Sequence, residues 1–406
     1  MIIAKVAVYA LKNVRSKQLK WKKIMNNKKQ ILEGSHAVAL TIKNIAPAVV
    51  SAYPITPQTH IVEDLAKFKA DGEASYEYVR AESEFAAASI ILGASAAGAR
   101  VYSATSSQGL LLMTEVVFNI AGMRLPIVMT CANRAVSAPI NIWCDHSDVM
   151  SMRDAGWIQL FAADNQEAID QHILAYKLAE SLRLPVMVNI DGFILTHSYE
   201  PVIIPSAADI KKFLPSYRPT IGTYLNPISP ITMGAFFTPE YYLETREALH
   251  DDLQSSLKTI AKENKLFKKI FRRDNGLIEY YGPKKPTTVL VAMGSVVGTI
   301  LETIKNNKQL AATTGLLKIQ VYRPFPREEI NKIISRAKNI AVIEKAISLG
   351  QAGPLYSDLK AGLGVSSLNI KNYIVGLGGR DITQKMIASI IKDAPQKNQT
   401  IKFIGK

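Results

Sequence analysis

Three side chains stand out for chemistry in this sequence: Glu84, Arg134 and Thr56. Glu84 opens a helix expected over 84–98, where Ala86, Ala87, Ala88, Ala94, Ala96 and Ala97 let another backbone come close. An acid at a helix start is favoured by the dipole, but Glu82 is the better candidate for that role. Glu84 lies further in, on the Ala-rich side, where an unpaired charge is costly. No Lys or Arg lies one turn away, so its expected partner is a ligand or another chain. Arg134 follows an apolar run, 126–131, that reads as a strand; a planar guanidinium there suits a carboxylate through two parallel bonds. A salt bridge to a neighbouring loop is the competing reading. Thr56 stands in Tyr53-Pro54-Ile55-Thr56-Pro57, between a strand and a helix. As the cap before Pro57 at the first helical position it is explained structurally. Its hydroxyl and the helix-terminal amides would equally suit an anionic group.

These residues need a frame that brings them together. Residues 100–105 read as a buried strand, and 106–109 as a tight turn feeding a second helix, with Ser106 or Ser107 placed to cap it. Strand–turn–helix units of this kind present backbone N–H groups at the carboxyl edge of an open α/β sheet, where ligands bind. The same alternation runs from about 34 to 200: helices at 36–45, 56–69, 147–155 and 165–182, strands at 48–53, 75–80, 126–131, 157–163 and 185–190. Near-continuous apolar strands between amphipathic helices predict a parallel sheet covered on both faces. From 201 to 239 seven prolines break the pattern, predicting a long connector, and 240–271 reads as one long polar helix. A second, smaller α/β block follows from about 285, with strands at 287–293, 317–322, 339–343 and 373–377 and helices at 296–306, 327–337, 355–363 and 383–392.

Composition excludes several classes. The net charge of +15 is concentrated at one end: residues 1–30 carry nine Lys/Arg and no acid, so the rest holds 49 − 9 = 40 basic against 34 acidic residues, or +6. The basic segment is expected to be a disordered arm rather than a nucleic-acid module. No apolar run is long enough for a bilayer. The only cysteines, Cys131 and Cys144, form neither a disulfide framework nor a metal motif, predicting a reduced, cytoplasmic setting. Four thiolates are the usual requirement of an iron–sulfur cluster, so this chain alone cannot hold one. Asp145, His146 and Asp148 lack a metal-ligand context and are expected to order their loop. The other histidines have no nucleophile partner, leaving a Ser–His–Asp reading unsupported.

In combination, several segments carry a specific resemblance: GSHAVA at 34–39, YPITPQT at 53–59, ESEFAAASIILGASAAGAR at 82–100, TSSQGLLLMTE at 105–115, NRAVSAPINIW at 133–143 with DHSDVMSMRDAGWIQL at 145–160, DGFILTHSYEPV at 191–202, RPFP at 323–326 and GLGGRDIT at 376–383. Together they resemble the α subunit of the four-subunit 2-oxo acid:ferredoxin oxidoreductases, over roughly 31–395. The resemblance implies a thiamine-diphosphate enzyme whose site lies between two chains. This chain would supply the pyrimidine-type domain (31–200), followed by the connector and long helix (201–284) and a transketolase C-terminal-like domain (285–406). A β chain would hold the diphosphate and its Mg, in keeping with the lack here of a GDG-then-Asn motif; γ and δ chains and further iron–sulfur clusters would complete the complex.

The resemblance assigns Glu84 to the aminopyrimidine, as the carboxyl that stabilises the imino tautomer so that the exocyclic nitrogen acts as a base. It assigns Ser107 and Gln108 to cofactor binding, and Thr56 and Arg134 to the substrate carboxylate. The implied reaction is oxidative decarboxylation of a 2-oxo acid with coenzyme A, yielding acyl-CoA and carbon dioxide and reducing ferredoxin. The APINIW loop implies pyruvate over 2-oxoglutarate; a branched acid, 2-oxoisovalerate, is the alternative. A non-catalytic assembly paralogue is the other, opposed by the joint presence of Glu84, Thr56 and Arg134. Ser35-His36 departs from the family's usual pairs.

Overall fold

The computed structural model describes residues 29–363, 368–397 and 399–405. Apart from Lys29 and Gln30, the segment expected to be a disordered arm lies outside them. A short strand, β1 (Gln30–Glu33), leads into α1 (Gly34–Ile45). Val38, Ile42 and Ile45 recur on one face of α1 and are buried, and the helix stops at Ala46 in the left-handed region. The order continues β2 (Val49–Ala52), α2 (Thr59–Ala70), β3 (Glu77–Arg80), α3 (Glu84–Ala96), β4 (Val101–Thr105), α4 (Ser107–Leu112), α5 (Thr114–Gly122), β5 (Val128–Asn133), α6 (Ser147–Ser151), β6 (Ile158–Phe161), α7 (Asn165–Leu182), β7 (Val186–Asp191) and β8 (Tyr199–Val202). After α8 (Ala207–Phe213) the chain runs through the proline-rich connector to α9 (Pro239–Phe271).

The second half comprises β9 (Ile278–Tyr281), β10 (Thr288–Ala292), α10 (Val296–Lys305), α11 (Lys308–Thr313), β11 (Thr314–Ile319), β12 (Val321–Arg323), α12 (Arg327–Ile334), β13 (Asn339–Glu344), α13 (Pro354–Leu363), β14 (Asn369–Ile374), α14 (Gln384–Asp393) and β15 (Ile401–Phe403). The fold is mixed α/β. One sheet has the order β12-β6-β7-β5-β4-β2-β3, the other β15-β14-β13-β10-β11-β9, and β1 pairs antiparallel with β8 in a separate ribbon. Both large sheets are parallel except for one antiparallel edge strand each, β12 and β9.

The apolar run expected as one strand over 317–322 serves both sheets. It pairs with β10 and β9 through β11, turns at Gln320, and pairs with β6 through β12. Period-two alternation cannot show a change of partner. Helices cover both faces of the first sheet. The lower part of α9 lies against α7 and α8 through Phe267, Phe271 and Phe213, whose rings meet at centroid distances of 4.5–6.0 Å. The other end of α9 exposes Tyr241, Tyr242 and Leu243. Among the described residues no helix is long and apolar enough to cross a membrane.

Candidate active site

The parallel strands β2, β3, β4, β5 and β7 end on one edge, and the loops leaving them carry the candidate residues. Helix α3 starts at Glu84, with Ser83 as its cap accepting from Ala86 N at 3.1 Å. Glu84 is only 8% exposed, and its carboxyl makes no hydrogen bond or ion pair with any described residue. It lies over the turn after β4, so tightly that a Cβ on Gly109 would stand 2.7 Å from Glu84 Oε1 and 2.7 Å from Thr105 Oγ1. Only glycine admits the carboxyl there.

Thr105 Oγ1 beside it has no protein partner, and on the neighbouring turns Gln58 Oε1, Ser106 Oγ and one end of the Gln108 amide are likewise buried and unpartnered. Gln58 is held by its NH2, which donates to Tyr53 O at 2.8 Å and Ala104 O at 3.2 Å. Ser107, at φ 48° in the left-handed region, brings its Oγ within 2.6 Å of both Ala135 O and Gln108 Oε1. One hydroxyl proton cannot serve two acceptors. The arrangement is met when Gln108 turns its NH2 to Ser107 and its carbonyl outward. Buried polar groups ordinarily find a partner, and a polar molecule seated on this edge would complete these. An aminopyrimidine, with ring nitrogens and an exocyclic amine, is such a molecule, so the residues fit the implied cofactor.

Arg134 is the first residue beyond β5 and 9% exposed. Its Nε donates to Asn141 O at 3.0 Å and Nη1 to Thr56 O at 2.9 Å. Two of the five guanidinium donors are thus used to aim the group, leaving three. Burial lowers its pKa, opposed by the charge of Asp148, and a guanidinium stays charged regardless. Thr56 therefore meets Arg134 through its carbonyl, while its hydroxyl is free at an exposed position. The capping expectation for Thr56 and Pro57 is overturned: α2 begins at Thr59, the residue before it is Gln58, and Thr56 belongs to a turn closed by Gln58 N to Ile55 O at 2.9 Å. The turn wins because Gln58 pins it to β4 from inside. Ser106 does precede α4, but its hydroxyl caps nothing.

The loop from Arg134 to Asp148 is braced from both sides. Asp145 Oδ1 accepts from Ser147 N at 2.9 Å, and its Oδ2 from Gly378 N at 3.2 Å. Asn141 donates to Gly378 O at 3.1 Å, and Gly379 N donates to Cys144 O at 2.7 Å. A Cβ on Gly378 would strike Asn141 and one on Gly379 would strike Trp143, both at positive φ. The GLGGRD segment is thus a support under the loop of Arg134. Asp148 accepts from both ends of the site, from Ser107 N and Arg134 N.

Sequence reasoning missed a buried cluster behind this loop. Asp191, at the end of β7, accepts from Lys345 Nζ at 2.6 Å, Ser295 N at 2.9 Å and His146 at 2.7 Å, and Lys345 also reaches Ser295 Oγ at 2.8 Å. All four side chains are far apart in the chain, so no spacing signals them. Cys144, His146 and Asp191 are spaced closely enough for a metal ion, but the Lys345 ammonium already supplies the positive charge.

Two family models match: "Pyruvate flavodoxin/ferredoxin oxidoreductase, thiamine diP-bdg" over residues 41–265 and "Pyruvate:ferredoxin oxidoreductase core domain II" over 287–387. The pyruvate synthase subunit PorA of Methanocaldococcus jannaschii is 48% identical over 367 residues, covering 89% of this chain and 94% of its own. The ketoisovalerate oxidoreductase subunit VorA of Pyrococcus horikoshii is 40% identical over 372 residues, covering 90% of this chain and 93% of its own. A 2-oxoglutarate:ferredoxin oxidoreductase from Magnetococcus marinus, solved with 2-oxoglutarate, coenzyme A and succinyl-CoA bound, shares the fold. Its TM-score is 0.71 at 22% identity, over 91% of this chain and 66% of that longer one. A site carboxyl cradled on glycine, an unpartnered hydroxyl beside it, an aimed guanidinium and these matches converge: the chain belongs to the pyruvate flavodoxin/ferredoxin oxidoreductase family.

Proposed function

We propose that this chain is the pyrimidine-side subunit of a multi-chain enzyme that oxidatively decarboxylates pyruvate with coenzyme A and passes the electrons to ferredoxin. The observation that carries it is the unpartnered, nearly buried Glu84 beside the unpartnered Thr105 hydroxyl, with Arg134 on the same sheet edge. When bound, thiamine diphosphate supplies a nucleophilic carbon and an electron sink. Glu84 would hold the aminopyrimidine ring nitrogen by a hydrogen bond; Ser107 and Gln108 would line the ring. The three free N–H donors of Arg134 and the Thr56 hydroxyl would take the substrate carboxylate in a charge-assisted clamp.

The chain lacks a diphosphate motif, so a partner chain is proposed to bring the diphosphate with its Mg, and further chains the iron–sulfur clusters. Exposed Tyr53, Phe85, Ile140, Trp143 and Ile194 sit on the site loops, as expected of a face covered by another chain. Two buried free thiols support a cytoplasmic setting. Pyruvate is favoured over 2-oxoisovalerate because the relative named for pyruvate is the more similar of the two compared.

The test is ferredoxin reduction by the co-expressed complex with thiamine diphosphate and coenzyme A, pyruvate against 2-oxoisovalerate, with a Glu84→Gln complex alongside. Pyruvate-dependent reduction lost in Glu84→Gln supports the proposal. Preference for the branched acid would transfer it to that substrate, and no reduction from a complex with intact clusters would overturn it.

A further inference from the structure

Asp148 is fully buried, and its two oxygens collect donors from three separate segments. Oδ2 accepts from Ser107 N at 3.0 Å, Arg134 N at 3.0 Å and the Cys131 thiol at 3.4 Å. Oδ1 accepts from Val149 N at 2.7 Å and Asn133 Nδ2 at 3.2 Å. Ser107 belongs to the turn beneath Glu84 and Gln108, and stands in the left-handed region that a non-glycine residue enters only when something holds it there. Arg134 begins the loop that aims the guanidinium at Thr56. A single carboxylate oxygen therefore joins the backbone of the turn after β4 to the backbone of the loop after β5.

Resting on the function proposed above, we propose that Asp148 is a positioning residue that couples the cofactor turn to the substrate loop, so that thiamine diphosphate and 2-oxo acid binding both depend on it. A carboxylate is the side chain suited to this. Only an acceptor-only group with two oxygens takes all these donors without turning an N–H against one of them. An amide of the same shape presents one oxygen and an NH2, and the NH2 must face either the Ser107–Arg134 amides or the Val149–Asn133 donors. A bond is lost and a repulsion gained in either orientation.

The electrostatics of Asp148 set no acid limit on this coupling. The groups facing Asp148 are the Cys131 thiol from β5, the Arg134 guanidinium, and Asp145 and Cys144 from its own loop; the turn at Ser107 adds none that titrates. Burial raises the Asp148 carboxyl to about 6, against the pull of its backbone donors. Because that value lies above the solvated one, protonation favours the buried arrangement over a released one, and acid is not expected to free the turn and loop.

The experiment uses the whole co-expressed complex with Asp148→Asn. Thiamine diphosphate affinity is measured by calorimetry, and pyruvate KM and kcat by ferredoxin reduction. The expected result is an assembled complex in which the cofactor Kd and the pyruvate KM both rise about tenfold, an effect on the order of 1.4 kcal/mol each. A lowered Tm with both constants unchanged would mark Asp148 as merely structural and overturn the proposal, as would a change in only one constant. Should Asp148→Asn fail to assemble, Asp148→Glu, which keeps the charge and displaces the oxygens, is measured in its place: a cofactor Kd and a pyruvate KM both unchanged overturn the proposal. A complex that binds thiamine diphosphate yet reduces nothing with pyruvate counts against the function reading and leaves the affinity test standing.

Discussion

Replacing Lys345 by Met is the sharpest test of how the two sheets are joined. Lys345 and Asp191 are each 1% exposed and their charges meet at 2.6 Å, with Ser295 and His146 completing the cluster. Met fills much of the lysine stem's volume, so the loss is chiefly electrostatic: Asp191 keeps its charge and loses its cation. Breaking a buried pair on one side costs about 3–5 kcal/mol. With about 2.1 cal/mol/K of unfolding entropy per residue, the 406-residue chain carries roughly 0.85 kcal/mol/K. The expected fall in Tm is therefore about 4–6 °C.

The pH dependence follows from the directions of the two shifts. Burial alone would raise Asp191, but the charges and hydrogen bonds of Lys345 and His146 outweigh it and hold the carboxyl well below its ordinary range. Lys345 is lowered by burial and raised further by Asp191, for a net increase. A depressed carboxyl contributes stability above its unfolded value of about 4, lost as pH falls through the folded one. A raised ammonium contributes below about 10.4, lost as pH rises through its folded value. The variant should thus differ most from wild type between about pH 5 and 9. The assay is scanning calorimetry of Lys345→Met, Asp191→Asn and the double variant. A neutral pair of side chains removes the stranded charge, so the double variant should recover part of the loss. A Tm for Lys345→Met within about 1 °C of wild type at pH 7, or a double variant with purely additive losses, would refute the reasoning.

Gly109→Ala would ordinarily favour a helix by about 1 kcal/mol, but here its Cβ enters the space of Glu84 and Thr105. We expect thiamine diphosphate affinity of the complex, read by calorimetry, to fall at least about tenfold with Tm little changed; unaltered affinity would detach Glu84 from the cofactor. Arg134→Ala removes a charge-assisted clamp worth about 1.5–3 kcal/mol, so pyruvate KM should rise about 10- to 100-fold. An unchanged pyruvate dependence in steady-state ferredoxin reduction would remove Arg134 from substrate binding.

Much of the frame was legible because its signals are local. Helix α7 runs over 165–182 as its pattern predicts, fixed by an Asp164 cap that accepts from Glu167 N at 2.8 Å. The isolation of Glu84 was also legible, since a carboxyl among alanines with no nearby base needs an outside partner. The turn at Thr56 was not. Pro57 near a helix start looks like a first helical residue, and only the tertiary hold of Gln58 on Ala104 O moves the start to Thr59. The Lys345–Asp191–His146–Ser295 cluster was invisible for a different reason: its members come together only when the second sheet docks behind β7, and no single-chain periodicity encodes that docking. The role of GLGGRD as a brace escaped likewise, because Gly378 and Gly379 are required by Asn141 and Trp143, more than two hundred positions away.

The crossing at Gln320 limits how this chain can be cut. Phe161 N donates to Gln320 O at 2.9 Å, and β12 then closes the outer side of β6. A fragment ending in the connector would leave β6 with a bare row of N–H and C=O groups, an invitation to pair with another molecule. The two sheets therefore share one strand's worth of closure as well as a buried ion pair, and neither half is a finished object. Ten residues of backbone passing from one sheet to the next tie the halves together, and a single melting transition of this chain in calorimetry is the expected outcome.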